Sequence, residues 1–251
     1  MSPAGRPLRL LLMHGLAGSP AIWRAVCDLG VPDAEMSTSD LPWAGAGDGV
    51  WAQRPGALDV VEDALTAADV VVAHSFTANL VLELLAAGRG TGLRGVVLVS
   101  PFYRASAGEF DWPTMEFYFA GFQRILDDGL RAFAGDKLAA DLREDMAARL
   151  RDRVGPYGWM QFFSAYLRTA QLDLEGIGVP VHLVAGEQDF AAPERDAKAL
   201  AAAIPGCGLD VLPACGHFAM ADRPELFTAV LGGFVATLEQ VRSVRGGTHV
   251  R

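Results

Sequence analysis

A serine, a carboxylate and an imidazole each stand in this sequence just past the end of an apolar run. Nucleophilic catalysis at an acyl group needs those three side chains together. Serine alone is a weak nucleophile; an imidazole can take its proton, and a carboxylate can orient that imidazole. Residues 70–80 read VVVAHSFTANL, a buried strand running into Ala73-His74-Ser75-Phe76-Thr77 and at once into a helix. A serine in that turn sits at the carboxyl end of a sheet with its hydroxyl exposed. Its neighbours two residues away must be small, because the strand and helix backbones nearly touch. The helix start at Phe76 offers free N–H groups and a positive dipole end to a developing oxyanion. The alternative is a serine that only caps the helix. Three further segments fall where the catalytic reading needs them. His14-Gly15-Leu16-Ala17-Gly18 is a Gly-rich loop after the opening strand, Gly186-Glu187-Gln188-Asp189 puts a carboxylate past a later strand, and Ala214-Cys215-Gly216-His217-Phe218 follows the last one.

These loops need a sheet to hold them, and the rest of the chain reads as βαβ units. Apolar runs at Leu8–Met13, Val70–Ala73, Gly95–Val99, Val179–Ala185 and Leu209–Leu212 alternate with helical patterns at residues 19–29, 58–68, 76–87, 193–203 and 224–241. The expected fold is α/β, a mostly parallel, doubly wound sheet. Residues 40–49 (DLPWAGAGDG) read as loop, and Arg242–Arg251 as a loose tail. The alternation breaks between two strands, at residues 101–178, which hold 14 of the 22 aromatic residues of the chain. Two uses of those rings stay open together: a core for the insertion, and the wall of an apolar pocket over the sheet. The division expected is residues 1–100 and 179–251 as core and 101–178 as a helical cap. Trp112, Phe117, Phe122, Trp159 and Phe162 form the pool of substrate-binding side chains.

With HG at 14–15, DLPWAGAGD at 40–48, AHSFT at 73–77, GEQD at 186–189 and GHF at 216–218, in that order, the chain resembles the α/β-hydrolase fold superfamily over nearly its whole length. The resemblance implies Ser75 as nucleophile, His217 as general base and acid, and Asp189 as orienting carboxylate. It implies an oxyanion hole made by the backbone N–H groups of Leu16 and Phe76. Family elbows usually carry glycine where Ala73 and Thr77 stand, and the β-branched Thr77 should open the elbow slightly or tilt the helix. The first strand matches the family's third, so the usual opening antiparallel strands are expected to be missing or very short. His14 is expected to organise its loop, while His74 and His182 are expected to pack. Cys215 should be an inert buried thiol, and Asp40 and Asp48 should stabilise their loop.

The 251 residues carry a net charge of −9, which argues against nucleic acid or an anionic membrane surface as partner. Three scattered cysteines and five histidines offer neither a disulfide framework nor a metal-ligand spacing. No cofactor or metal is expected. Without a secretory signal or a long apolar span, a cytoplasmic location is the expectation, and the sequence assigns no oligomeric state. The function expected is hydrolysis of an ester or thioester of a hydrophobic acyl or aryl group, a small-molecule substrate. A lyase or C–C bond hydrolase using the same triad, and a ligand-binding receptor-like member with little turnover, are the alternatives. Ser75 in place of another nucleophile argues against a dehalogenase or an epoxide hydrolase.

Overall fold

The computed structural model describes residues 6–246 apart from 48, 55 and 91. Six strands form one sheet: β1 (Leu8–Met13), β2 (Ala34–Ser39), β3 (Val70–His74), β4 (Gly95–Val99), β5 (Val181–Gly186) and β6 (Gly208–Leu212). Their spatial order is β2-β1-β3-β4-β5-β6, and every pairing is parallel. Along β3 the side chains alternate between two cores. Val71 and Ala73 join one, Val70 and Val72 the other, so both faces are covered and the strand reads as an unbroken apolar run. The helices α2 (Ala57–Leu65), α3 (Phe76–Ala86) and α6 (Glu194–Ala203) cover the first face. On the second lie α1 (Arg24–Leu29), α7 (Ala219–Asp222) and α8 (Pro224–Gly246). The sheet is therefore doubly wound.

One strand departs from the sequence reading. β2 (AEMSTS) is an edge strand with half its residues exposed, so it needs no apolar run. At the other end, α8 extends to Gly246, so the expected tail is helical at its start. His249 and Asp48 lie outside the described residues. Between β4 and β5 stand two cap helices, α4 (Trp112–Ala134) and α5 (Ala140–Arg168). Asp111 caps α4 by accepting the Thr114 amide, and α5 breaks at Gly155, whose φ of 63° precedes Pro156.

A buried ion pair fastens the root of these helices to the sheet layer. Arg104 Nη1 meets Asp196 Oδ1 at 2.6 Å, both side chains at most 9% exposed, while the Arg104 amide donates to Thr169 Oγ1. Burial pushes the Asp196 carboxyl up, against the pull of Arg104 and Arg195. Removing one partner strands the other charge. Asp196→Ala is expected to lose about 3–5 kcal/mol in denaturant unfolding, and Arg104→Met with Asp196→Leu much less. A single substitution costing under about 1 kcal/mol would show the pair to be solvated.

Candidate active site

The turn from β3 into α3 puts Ser75 at φ 56°, ψ −123°, a left-handed conformation seldom taken by a residue with a side chain. Its amide donates to the Val99 carbonyl at 2.9 Å, and its own carbonyl accepts the Asn79 amide as the helix begins. Close approach is built in on the other side. A Cβ on Gly15 would lie 2.9 Å from the Ser75 Cβ, which is why loop and elbow meet only through glycine.

Ser75, His217 and Asp189 come together at this edge. Ser75 Oγ lies 2.9 Å from His217 Nε2, and His217 Nδ1 lies 2.8 Å from Asp189 Oδ2. With the imidazole neutral, Nδ1–H donates to the carboxylate and Nε2 is left to accept from the serine hydroxyl. The second oxygen, Asp189 Oδ1, accepts the amides of Ala191 and Ala192, both at 2.9 Å. Burial alone would push the Asp189 carboxyl up. The adjacent His217 and the two amides outweigh that, and its pKa is held below the usual carboxylate range. Glu187, the other carboxylate of the GEQD segment, turns away and accepts the Ala214 amide at 3.0 Å. Asp222 does the same for Gly216 at 2.9 Å, so two carboxylates brace the loop that carries His217.

The other histidines hold loops. His14 is fully buried; its Nε2 accepts the Leu41 amide at 3.1 Å, leaving Nδ1–H to donate to the Gly15 carbonyl at 2.8 Å. Burial lowers its pKa. His74 Nε2 donates to the His217 carbonyl at 2.9 Å. Its burial, with His217 beside it, lowers its pKa to about 3. Both rings therefore act as neutral struts. Burial pushes the Cys215 thiol up to about 12, which leaves it unreactive. His182 pairs with Asp210 at 2.8 Å, at the sheet edge away from Ser75.

Among the described residues, the Leu16 and Phe76 amides make no backbone hydrogen bond of the turn, loop or cap kind, and Phe76 opens a helix whose first N–H groups have no internal acceptor. The 40–49 loop clamps this edge: Trp43 O accepts the Ala17 amide at 2.9 Å, and the Gly45 amide donates to Gly18 O at 2.8 Å. Thr77 and Trp43, neither assigned a catalytic or substrate-binding role from sequence, complete the clamp. The Thr77 hydroxyl donates to His14 O at 2.5 Å and accepts from Trp43 Nε1 at 3.0 Å. The threonine thus joins elbow, Gly-rich loop and tryptophan loop in place of the usual glycine.

A cavity of about 380 Å³ opens over Ser75. From α4 it is lined by Ile125, Leu126, Leu130 and Phe133, and from α5 by Met146 and Leu150. None of the five aromatics expected there borders it. Trp112 is 81% exposed, and Phe117 meets Tyr118 and Phe190 edge to face. Phe162 is packed on Phe76 and Phe102. Phe122 and Trp159 line a different hollow of about 880 Å³, between α4 and α5. The helical phase turns mostly aliphatic positions, with Phe133 and Arg153, toward the serine.

A family model described as "Alpha/beta hydrolase family" matches residues 10–230. The chain belongs to that family. Among curated proteins, this chain is 27% identical over 73 residues to monoacylglycerol lipase abhd6-A of Xenopus laevis, a match over 29% of the chain and 22% of that protein. Its fold matches a haloalkane dehalogenase variant from Bradyrhizobium elkanii at TM-score 0.67 and 19% identity, over 95% of this chain and 92% of that one. It also matches an esterase from Rhodococcus sp. ECU1013 at TM-score 0.63 and 21% identity, over 92% and 91%. These likenesses carry the fold alone. No helix among the described residues is long and apolar enough to cross a membrane.

The clamp makes a direct prediction. Thr77→Val keeps the shape but leaves the His14 carbonyl and the Trp43 indole N–H buried without this partner, a loss of about 1–3 kcal/mol in denaturant unfolding. Thr77→Ser should recover most of it. A valine variant as stable as the parent would mean that the hydroxyl ties nothing together.

Proposed function

We propose that this alpha/beta hydrolase is a serine hydrolase cleaving an ester or thioester of a hydrophobic acyl group through a covalent acyl-enzyme. Ser75 is the nucleophile, His217 the general base and then acid, and Asp189 the carboxylate that fixes its tautomer. The Leu16 and Phe76 amides receive the oxyanion, and residues 101–178 act as the cap over the acyl chain. One observation carries the reading: an unbroken hydrogen-bond chain from Asp189 through His217 to Ser75, opening into an aliphatic cavity. Esterase and lipase relatives agree with a hydrolase. Ser75 at the elbow favours acyl transfer over the dehalogenation named for other proteins of this fold.

In the forward step, His217 Nε2 takes the hydroxyl proton as Ser75 Oγ bonds to the acyl carbon. The carbonyl oxygen gains charge against the two amides. The carbon–leaving-group bond then breaks, with the proton passing from Nε2 to the leaving atom. Water enters by the same route, and the acid departs. The imidazolium formed in between faces the buried Asp189 carboxylate, whose lowered pKa keeps it ionised through the cycle.

Kinetics on a series of p-nitrophenyl esters of increasing chain length test this. Each methylene held in the cavity should raise kcat/KM about fourfold until the space is filled. Ser75→Ala and His217→Ala should each lower kcat by at least ~10³-fold and the double variant little more, with Asp189→Asn near ~10⁴. Leu130→Trp should shorten the preferred chain. A flat chain-length profile that Leu130→Trp leaves unchanged would place the acyl group elsewhere, and an active Ser75→Ala would end the assignment.

A further inference from the structure

Two cavities meet at His217. The first is the aliphatic one over Ser75. The second, about 590 Å³, is bordered by Arg124, Asp128, Arg131, Phe190, Asp222 and Arg223. His217 and Phe218 belong to the walls of both, whereas Ser75 and the 14–18 loop border only the first. Phe218 is thus a wall that the two share. Its ring is pressed onto α4 where that helix has no side chain, and a Cβ on Gly129 would come within 2.8 Å of the ring.

The two chambers differ in chemistry. Around the second, both carboxylates are committed: Asp128 pairs with Arg131 at 2.7 Å, and Asp222 accepts the Gly216 amide. Arg124 lies with its guanidinium 3.9 Å over the Phe190 ring. Asp128 also feels the Arg124 charge, but its close contact is with Arg131. In a chain of net charge −9, this chamber sets three guanidinium groups, Arg124, Arg131 and Arg223, against two carboxylates, Asp128 and Asp222, and so keeps an excess of positive charge.

The reaction decides which half of the substrate goes where. The acyl carbon must lie over Ser75 beside the oxyanion amides, so the acyl chain takes the first cavity. His217 must return its proton to the leaving oxygen or sulfur, so the leaving group lies against His217. The second cavity is the other space that His217 borders. We propose that it receives the leaving group, an alcohol or thiol bearing a carboxylate or phosphate that Arg124 and Arg223 attract. This rests on the serine-hydrolase reading. The acyl–leaving-group bond breaks as the Ser75 ester forms, and the leaving group departs as the neutral alcohol or thiol with its anionic group unchanged.

The test uses three octanoyl esters with similar phenol leaving groups: 4-hydroxyphenylacetate, its methyl ester, and 2-(4-hydroxyphenyl)ethyl phosphate. At low salt, kcat/KM for at least one anionic ester should exceed that for the methyl ester by about tenfold, since the arginines are solvent-exposed. The more favoured anion identifies the group recognised. High salt should erase the advantage without any mutation. Arg124→Gln with Arg223→Gln should bring the ratio of anionic to neutral ester to about one. Equal rates for all three esters, or a ratio untouched by salt and by the double variant, would overturn the proposal while leaving the hydrolase reading intact. A wild-type protein that cleaves none of them, or a Ser75→Ala variant that cleaves them equally well, would overturn both.

Discussion

Everything at this site hangs on one backbone turn. Ser75 sits at a positive φ between β3 and α3, a conformation that costs on the order of 1–3 kcal/mol for a residue with a Cβ. It persists because the surroundings leave no other path. The Val99 carbonyl holds its amide, Gly15 closes in on one side, and α3 is buried on nearly all its faces. The Asn79 side chain, one turn into α3, exchanges two hydrogen bonds with the Phe102 backbone and so ties the elbow to the segment leaving β4. The result is a hydroxyl held outward at the carboxyl edge of a parallel sheet, where open α/β folds present their loops.

That edge is wired by neutral polar groups rather than by charges. His14 and His74 are deeply buried, and burial lowers the pKa of each, favouring the uncharged ring. Each fixes a loop by a hydrogen bond to backbone. Glu187 and Asp222 brace the loop that carries His217 by accepting amides, and Asp189 is the carboxylate hydrogen-bonded to His217. Tyr118 of the cap donates to the Ala191 carbonyl at 2.8 Å, and the Ala191 amide in turn holds Asp189. Cap and Asp189 loop are thus joined at Ala191.

Much of this was legible in the sequence, because its signals are local. A strand, a small-x-Ser-x-small turn and a helix occupy consecutive residues, and buried parallel strands announce themselves as apolar runs. β2 gave no such signal, being a half-exposed edge strand. Trp43 and Thr77 could not be paired from the sequence: their bond spans 34 residues, and the one from Thr77 to His14 spans 63. The cap aromatics misled because their number says nothing about helical phase. A usable signal was present in α4, where Ile125, Leu126, Gly129, Leu130 and Phe133 recur on one stripe of the helix and all border the cavity.

The central claim is that this wiring makes Ser75, alone among the serines, a nucleophile. Mass spectrometry of the native protein after reaction with a fluorophosphonate measures that directly. The account predicts one adduct per chain, on the peptide carrying Ser75, lost when the protein is unfolded first and lost in His217→Ala. An adduct on another serine, or a hydrolytically active protein that takes up none, would contradict it.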